Sequence, residues 1–158
     1  MARFTVRRAA LADLPLIEAD VAALFAEDSG TREPTIDQAW PALHARAWLE
    51  SQLGDDRNLL LVAAAPDHAG YLAGALRPAD AMRTVPVAVL VSMYVRPAHR
   101  GAGAGGALLA AFRDWARAEG AERLSVTAYT ANTAALRFYE REGFRPHETR
   151  LEAFLPQD

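Results

Sequence analysis

Apolar residues recur along this chain with two different periods, which predicts a mixture of strands and helices. Phe4–Arg7 alternates apolar and polar residues, as a half-buried strand does. A helical period follows from Asp13 to about Glu27, and Asp28-Ser29-Gly30 is expected to end that helix. The apolar residues of this predicted helix share one side and are Leu14, Ile17, Val21, Leu24 and Phe25.

The next segment predicts a second helix and a β-hairpin. Two starts are open for a helix that ends near Gly54: Thr35–Gln38 has the spacing of a capping box, and Trp40-Pro41 would place proline in the first turn. Asn58–Ala65 is an almost continuous apolar run, which is typical of a buried strand. Tyr71–Arg77 is the expected returning strand, because turn-forming residues separate it from that run.

The C-terminal half carries stronger local signals. Val87–Val95 is the most strand-like segment of the chain, and a glycine-rich turn after it leads into a helix that ends at about Glu119. Arg123–Ala128 predicts another strand. Asn132–Glu142 predicts a helix that begins with a favourable N-cap, and Phe144–Leu155 predicts one or two further strands.

Together these elements predict an α/β (α+β) fold, with a mixed central sheet of six to seven strands flanked by about four helices. The length of 158 residues suits one domain. Because the sequence shows neither a repeat nor a linker, we expect residues 1–158 to form a single domain.

Composition and charge exclude several classes of function. The chain has no cysteine, which rules out a thiolate nucleophile, a disulfide framework and a zinc–cysteine site. Its formal net charge is −3 with acids and bases interspersed, so we expect neither a nucleic-acid nor a membrane partner. No metal is expected, because His44, His68, His99 and His147 lack the spacing of metal ligands. A cytoplasmic location is expected, because acidic residues interrupt any apolar N-terminal segment.

The candidate chemistry lies in the turn Arg100–Gly106, between the strand Val87–Val95 and the helix after it. Its small residues let an anion approach the backbone, and the free amides of a helix N-terminus favour phosphate. Gly101, Gly103 and Gly106 also match the dinucleotide-binding fingerprint. That fingerprint normally opens a doubly wound fold, and only about fifty residues follow it here. A turn that merely packs a helix against a sheet is a third interpretation.

Two motifs resemble the GCN5-related N-acetyltransferase (GNAT) family. Arg100, Gly103 and Gly105 occupy the fixed positions of its cofactor motif, Q/R-x-x-G-x-G/A. Downstream, Asn132–Phe144 follows the family pattern N-x-x-A-x-x-F-Y-x-x-x-G-F. The resemblance covers roughly Val87–Phe144, and the N-terminal half is similar only in the order of its elements.

The resemblance implies an N-acetyltransferase that moves an acetyl group from acetyl-CoA to a primary amine by direct attack in a ternary complex. It assigns contacts with the pantetheine arm to the backbone of Met93 and Val95. Asn132 would contact the same arm, although its local chemistry fits a plain N-cap equally well. The pyrophosphate would lie on the turn beside Arg100. The turn residues expected to bind it are Gly101, Ala102, Gly103, Ala104, Gly105 and Gly106.

For catalysis, the resemblance points to Tyr139 as the general acid that protonates the departing coenzyme A thiolate. On the residues alone, an aromatic at this helical position is more often part of the core. A backbone amide near Met93 or Val95 would stabilise the oxyanion. No general base is identified. Many relatives place a glutamate near the position of Val89, and this chain has valine there. Four acids near the expected acceptor site are candidates that also fit solvated helix-end roles: Glu27, Asp28, Glu33 and Asp37.

The expected partner is a small-molecule or peptide amine that serves as acceptor. A homodimer is also expected, because many members of the family are dimers. The alternative function is a non-catalytic sensor module of the same fold that binds acyl-CoA without turning it over.

Overall fold

The computed structural model describes residues 3–157, in which helices cover both faces of a five-stranded sheet. No helix within these residues is both long and apolar enough to cross a membrane. The helices are α1 (Leu14–Thr31), α2 (Trp40–Leu53), α3 (Ala104–Ala118) and α4 (Thr133–Arg141). The strands are β1 (Thr5–Arg8), β2 (Asn58–Ala64), β3 (His68–Arg77), β4 (Val87–Val95) and β5 (Arg123–Val126).

The sheet is mixed, as predicted, but it has five strands rather than six to seven. Strands β1 to β4 pair antiparallel in chain order, and β5 then pairs parallel to β4. The strands predicted in Phe144–Leu155 are absent from the described residues, where this segment has no regular secondary structure. A strand forms only where another strand is available to pair with it, and the edge strand β5 has just four residues. Leu151 and Phe154 in this segment are consequently more than four-fifths exposed.

Helix α1 is longer than its sequence predicts, because it continues through Asp28-Ser29-Gly30 to Thr31. An ion pair between Arg32 and Asp28, 2.8 Å apart and one helical turn along the chain, stabilises this last turn. Helix α2 begins at Trp40 with Pro41 in its first turn, which selects the second of the two predicted starts.

Two apolar cores lie on opposite faces of the sheet. On one face, Leu108, Phe112 and other buried side chains of α3 pack against β2, β3 and β4. On the other face α1 and α2 contribute Ile17 and Leu49, which pack around the fully buried Tyr71 of β3. Each such fully buried large apolar side chain contributes about 1.5–3 kcal/mol to folding. Because both cores include side chains of β4, they fix this strand between the two layers of helices.

A bulge in the middle of β4 separates its two halves. Ala73 of β3 pairs with Ser92, whereas the next residue, Gly74, pairs with Leu90, so Val91 is the extra residue. Bulges bend a strand and increase its twist. The parallel pairing with β5 also stops at Leu90, and the C-terminal half of β4 therefore diverges from its neighbour.

Candidate functional site

The divergence leaves one edge of β4 open. The Arg96 N–H donates to the Ala69 carbonyl at the start of β3, at 2.8 Å. Because N–H groups alternate in direction along a strand, those of Met93 and Val95 point away from β3, toward the side where β5 has ended. The structure thus brings the two backbone positions predicted for pantetheine to an edge that pairs with no strand in residues 3–157.

The predicted anion site is a backbone surface at the N-terminus of α3. Gly101 and Gly103 have φ of +73° and +100°, left-handed values that favour glycine, and Gly103 is the N-cap of the helix. A Cβ atom at either glycine would meet nothing within 4 Å, so the space above the turn is open. The first bond of the helix runs from Ala107 N–H to the Gly103 carbonyl. Within residues 3–157, none of the six amides of residues 101–106 makes a short, well-aligned hydrogen bond to a backbone acceptor, although residues 100–103 form turns.

Gly105 is required for packing, whereas the two glycines before it face open space. A Cβ atom there would lie 3.2 Å from Phe138 Cζ, which is closer than almost any methyl carbon tolerates. The glycine therefore leaves room for the Phe138 ring of α4 against the first turn of α3. Through the Phe138 ring, the residue next to Tyr139 contacts the first turn of α3, where the anion site lies.

Helix α4 brings the two downstream candidates to the same region. The side-chain oxygen of Asn132 accepts a hydrogen bond from the Ala135 amide at 3.2 Å, so it does cap the helix. Tyr139 is half-buried, with its ring edge-on to Phe138 and Phe144 at 5.2 and 5.6 Å between centroids. Burial raises the pKa of Tyr139 to about 12, so its phenol is neutral near pH 7.

Three of the four candidate acids form contacts only with residues close to them in sequence. Asp28 pairs with Arg32 at 2.8 Å. Glu33 accepts hydrogen bonds from both the amide and the hydroxyl of Thr35, which lower the pKa of the Glu33 carboxyl. Asp37 accepts a bond from a backbone amide two residues later at 2.9 Å. These contacts are local to the end of α1 and to the loop before α2, so none of them directs an acid toward β4.

Glu27 is the exception, because it reaches β4. Its Oε1 atom accepts a hydrogen bond from the Tyr94 hydroxyl at 3.2 Å and lies 2.7 Å from an Arg100 guanidinium nitrogen. Arg100 also donates through Nε to the Val95 carbonyl at 2.8 Å, and its guanidinium lies 5.2 Å from the centre of the Tyr94 ring. Burial and the neighbouring Glu27 carboxylate raise the pKa of Tyr94. Arg100 thus links the turn to α1.

A buried ionic cluster lies on the same face of the sheet. The Asp20 carboxylate is 2% exposed and lies 2.5 Å from His68 Nε2 and 2.7 Å from Arg96 Nε. Sequence reasoning missed this cluster, although a signal was present. Asp20 lies beside Val21 and three residues after Ile17, on the side of α1 that the helical period predicts to be buried. An acid in that stripe indicates a buried partner.

Polar groups continue along the α1 side of β4. The Tyr71 hydroxyl and Ser92 Oγ are 2.6 Å apart, and burial raises the pKa of Tyr71 strongly. Ser92 and Tyr94 come from the half of β4 beyond the bulge, so the polar lining begins where the strand diverges from β5. In residues 3–157, no three His, Cys, Asp or Glu side chains converge in a way that could hold a metal ion.

Comparison with known proteins places the chain in a family. The model of the acetyltransferase (GNAT) family matches residues 21–144. The chain belongs to this family. No curated protein matches the sequence.

Solved structures share the GNAT fold over nearly the whole chain. A transcriptional regulator from Bacillus halodurans C-125 is 24% identical with a TM-score of 0.78, over 97% of this chain and 100% of that one. An aminoglycoside acetyltransferase from an uncultured soil metagenomic sample, solved with sisomicin, is 17% identical with a TM-score of 0.72, over 98% and 97%. AAC(6')-Iy, solved with the bisubstrate analogue CoA-S-monomethyl-acetylneamine, is 20% identical with a TM-score of 0.72, over 98% and 99%. At these identities the likeness establishes a mixed α/β fold.

Proposed function

We propose that this GNAT protein transfers an acetyl group from acetyl-CoA to a primary amine. The observation that carries the proposal is the run of six free amides at residues 101–106, beside the open edge of β4. A diphosphate fits the first feature, because helix N-termini bind anions through their amides and dipole. An amide-containing chain such as pantetheine fits the second, because it can add to a free edge as a strand does.

The residues of this chain divide the binding task between them. The turn would hold the diphosphate, and the free N–H groups of Met93 and Val95 would pair with the pantetheine amides. The Asn132 oxygen caps α4, which leaves its Nδ2 group free to donate to the same arm, since that group has no protein partner in residues 3–157. Capping and ligand binding are therefore compatible at this residue.

The chemistry that this arrangement supports is direct acyl transfer. The amine nitrogen in its neutral form attacks the thioester carbonyl carbon, a C–N bond forms, and negative charge develops on the carbonyl oxygen. An amide on the open edge of β4, at Met93 or Val95, would stabilise that charge. The C–S bond then breaks, and the Tyr139 hydroxyl gives its proton to the thiolate sulfur. Water takes the proton released from the attacking nitrogen and returns one to Tyr139.

The raised pKa of Tyr139 has two opposite consequences for its role as general acid. A phenol with a pKa of about 12 is fully protonated at neutral pH, so the donor form is always present. The same shift makes it a weaker acid than an ordinary tyrosine, so its effect depends on being held close to the sulfur.

The acceptor side supports an amine that carries positive charge before it reacts. Glu27 reaches this side of β4, and Ser92 and Tyr94 add hydroxyl groups to it. Two structures that share the fold were solved with an aminoglycoside and with an acetylneamine–CoA conjugate, which supports small-molecule amines as the first class to test. A peptide amine as acceptor, the single domain over residues 1–158, the homodimer and the cytoplasmic location stay predictions.

Two measurements test the proposal. Calorimetry should detect binding of coenzyme A and not of NAD, since the dinucleotide interpretation predicts the reverse. Release of free thiol from acetyl-CoA should then depend on an amine, tested with sisomicin, spermidine, L-lysine and a peptide with a free N-terminus. Absence of coenzyme A binding would refute the proposal. Binding without thiol release with any of these amines would favour the non-catalytic sensor module.

A further inference from the structure

We propose that Glu27 and the diphosphate of acetyl-CoA compete for Arg100, so that cofactor binding frees the Glu27 carboxylate to receive the ammonium group of the acceptor. The inference rests on the proposed function and adds to it a link between the two substrates. It names Glu27 as the residue that recognises the amine and Arg100 as the residue that changes partner.

Arg100 is held on the acceptor side in this structure. One guanidinium nitrogen lies 2.7 Å from Glu27 Oε1, Nε donates to the Val95 carbonyl, and the group lies over the Tyr94 ring. The residue immediately precedes the free amides of the turn. The cation that adjoins the turn in sequence is therefore already paired with a carboxylate from α1.

A bound cofactor disturbs two of these three contacts. A diphosphate at the turn places negative charge close to Arg100, and that charge attracts the guanidinium away from the Glu27 carboxylate. The Val95 carbonyl lies on the open edge of β4, where the pantetheine arm would pair, so the ligand also competes for the acceptor of Nε. Both effects favour release of Arg100 from α1.

Release leaves Glu27 with a hydrogen bond from Tyr94 and no cation. A carboxylate in this position is stabilised by a new positive partner, and a protonated amine is the partner that the proposed reaction brings to this side of the strand. The amine is thus expected to bind better after the cofactor than before it. Glu27 is placed here as a binding and positioning residue, because no contact in the structure shows it at a reacting atom.

The test is Glu27→Gln, with coenzyme A binding measured by calorimetry and amine turnover by thiol release. Removing the competitor should tighten coenzyme A binding by about two- to fivefold, the scale of a partly exposed ion pair. In the same variant, kcat/KM should fall for whichever of sisomicin, spermidine, L-lysine or the peptide the wild type acetylates best. Damage to the fold would weaken both, so opposite changes are diagnostic.

Two further variants separate competition from general electrostatics. Glu18→Gln removes the same charge from the same helix, where Glu18 pairs with Arg46 at 2.7 Å, and it should leave coenzyme A affinity unchanged. In an Arg100→Gln background, Glu27→Gln should no longer tighten binding.

The inference is overturned if Glu27→Gln leaves coenzyme A binding unchanged or weaker, or if the gain survives without Arg100. Equal gains in Glu18→Gln and Glu27→Gln would also overturn it. These outcomes all require a wild type that binds coenzyme A and releases thiol. Failure of the proposed function would appear earlier, as a wild type that does neither.

Discussion

The two sides of β4 meet at one candidate site but are built from different groups. On the α3 side the site is backbone: six amides from consecutive residues and two strand amides at an open edge. On the α1 side it is ionised and hydroxyl side chains. Glu27 lies 73 residues from Arg100, and Asp20 lies 76 residues from Arg96.

This difference separates affinity for the cofactor from recognition of the acceptor. A backbone surface needs only the right local conformation, so one short segment is sufficient to form it. A side-chain surface needs α1 to dock correctly on the sheet, and its groups are tied into the core that holds that helix. Substitutions on the first side should therefore change ligand binding far more than stability, whereas those on the second side should change stability together with function.

The largest expected effect comes from Gly103→Val, which should remove coenzyme A binding. The φ of +100° strains any branched residue, and the side chain would project into the open space above the turn. We expect a loss of affinity above about 1,000-fold, equivalent to about 4 kcal/mol, measured by calorimetry.

Gly120→Val is the matched control for this variant. Gly120 has φ of +78°, a Cβ there also meets nothing within 4 Å, and it lies at the other end of the same helix. Each substitution should lower the free energy of unfolding by about 1–2 kcal/mol, and only Gly103→Val should abolish binding. Unchanged affinity in Gly103→Val would refute the placement of the diphosphate.

Tyr139→Phe should have the next largest effect, this time on kcat. Loss of the proton donor should lower kcat by about 100-fold, because general acids typically contribute 100-fold or more. Coenzyme A affinity should change little, since the hydroxyl has no assigned binding contact. Thiol-release kinetics and calorimetry measure the two effects separately, and wild-type turnover in the variant would show that Tyr139 is not the acid.

The pH dependence of the wild type gives an independent check on Tyr139. Its raised pKa, to about 12, means that the proton is lost only as pH rises toward that value. We expect kcat to show no decline caused by this residue between pH 7 and about pH 10. A basic limb in that range that disappears in Tyr139→Phe would contradict the assigned pKa.

A smaller effect, on stability, should distinguish the acceptor side. Asp20→Ala leaves the His68 ring and the Arg96 guanidinium without their carboxylate. Breaking a fully buried ion pair costs about 3–5 kcal/mol, and because Arg96 is one-third exposed we expect about 2 kcal/mol in urea unfolding. Asp114→Ala, which removes a carboxylate from a pair that is about three-quarters exposed, should cost less than about 0.5 kcal/mol. Equal losses in the two variants would show that the buried cluster does not stabilise α1.

Prediction from the sequence succeeded for the elements that form the backbone side, because their signals are local. The bounds of β4 are as predicted, and the end of that strand, the glycine turn and the start of α3 follow one another within a dozen residues. Asn132 was predicted as an N-cap and is one. The bulge at Val91 was not predicted, because the five apolar residues Val87–Val91 show no alternation whose change could reveal it.

The acceptor side could not be predicted in the same way. No local pattern relates Asp20 to His68, 48 residues away, or Glu27 to Arg100, because these pairs depend on how α1 docks. The acid in the buried stripe of α1 showed that a partner must exist without identifying it. The strands predicted in the tail after Phe144 were wrong for a related reason, since a strand requires a partner and no ladder forms there in the described residues.

The most direct test of the central claim compares coenzyme A with pantetheine by calorimetry on the wild-type protein. Pantetheine keeps the arm that would pair with β4 but lacks the diphosphate assigned to the turn at residues 101–106. The account predicts measurable binding of coenzyme A and at least about 100-fold weaker binding of pantetheine. Equal affinity for the two, or no affinity for coenzyme A, would contradict it.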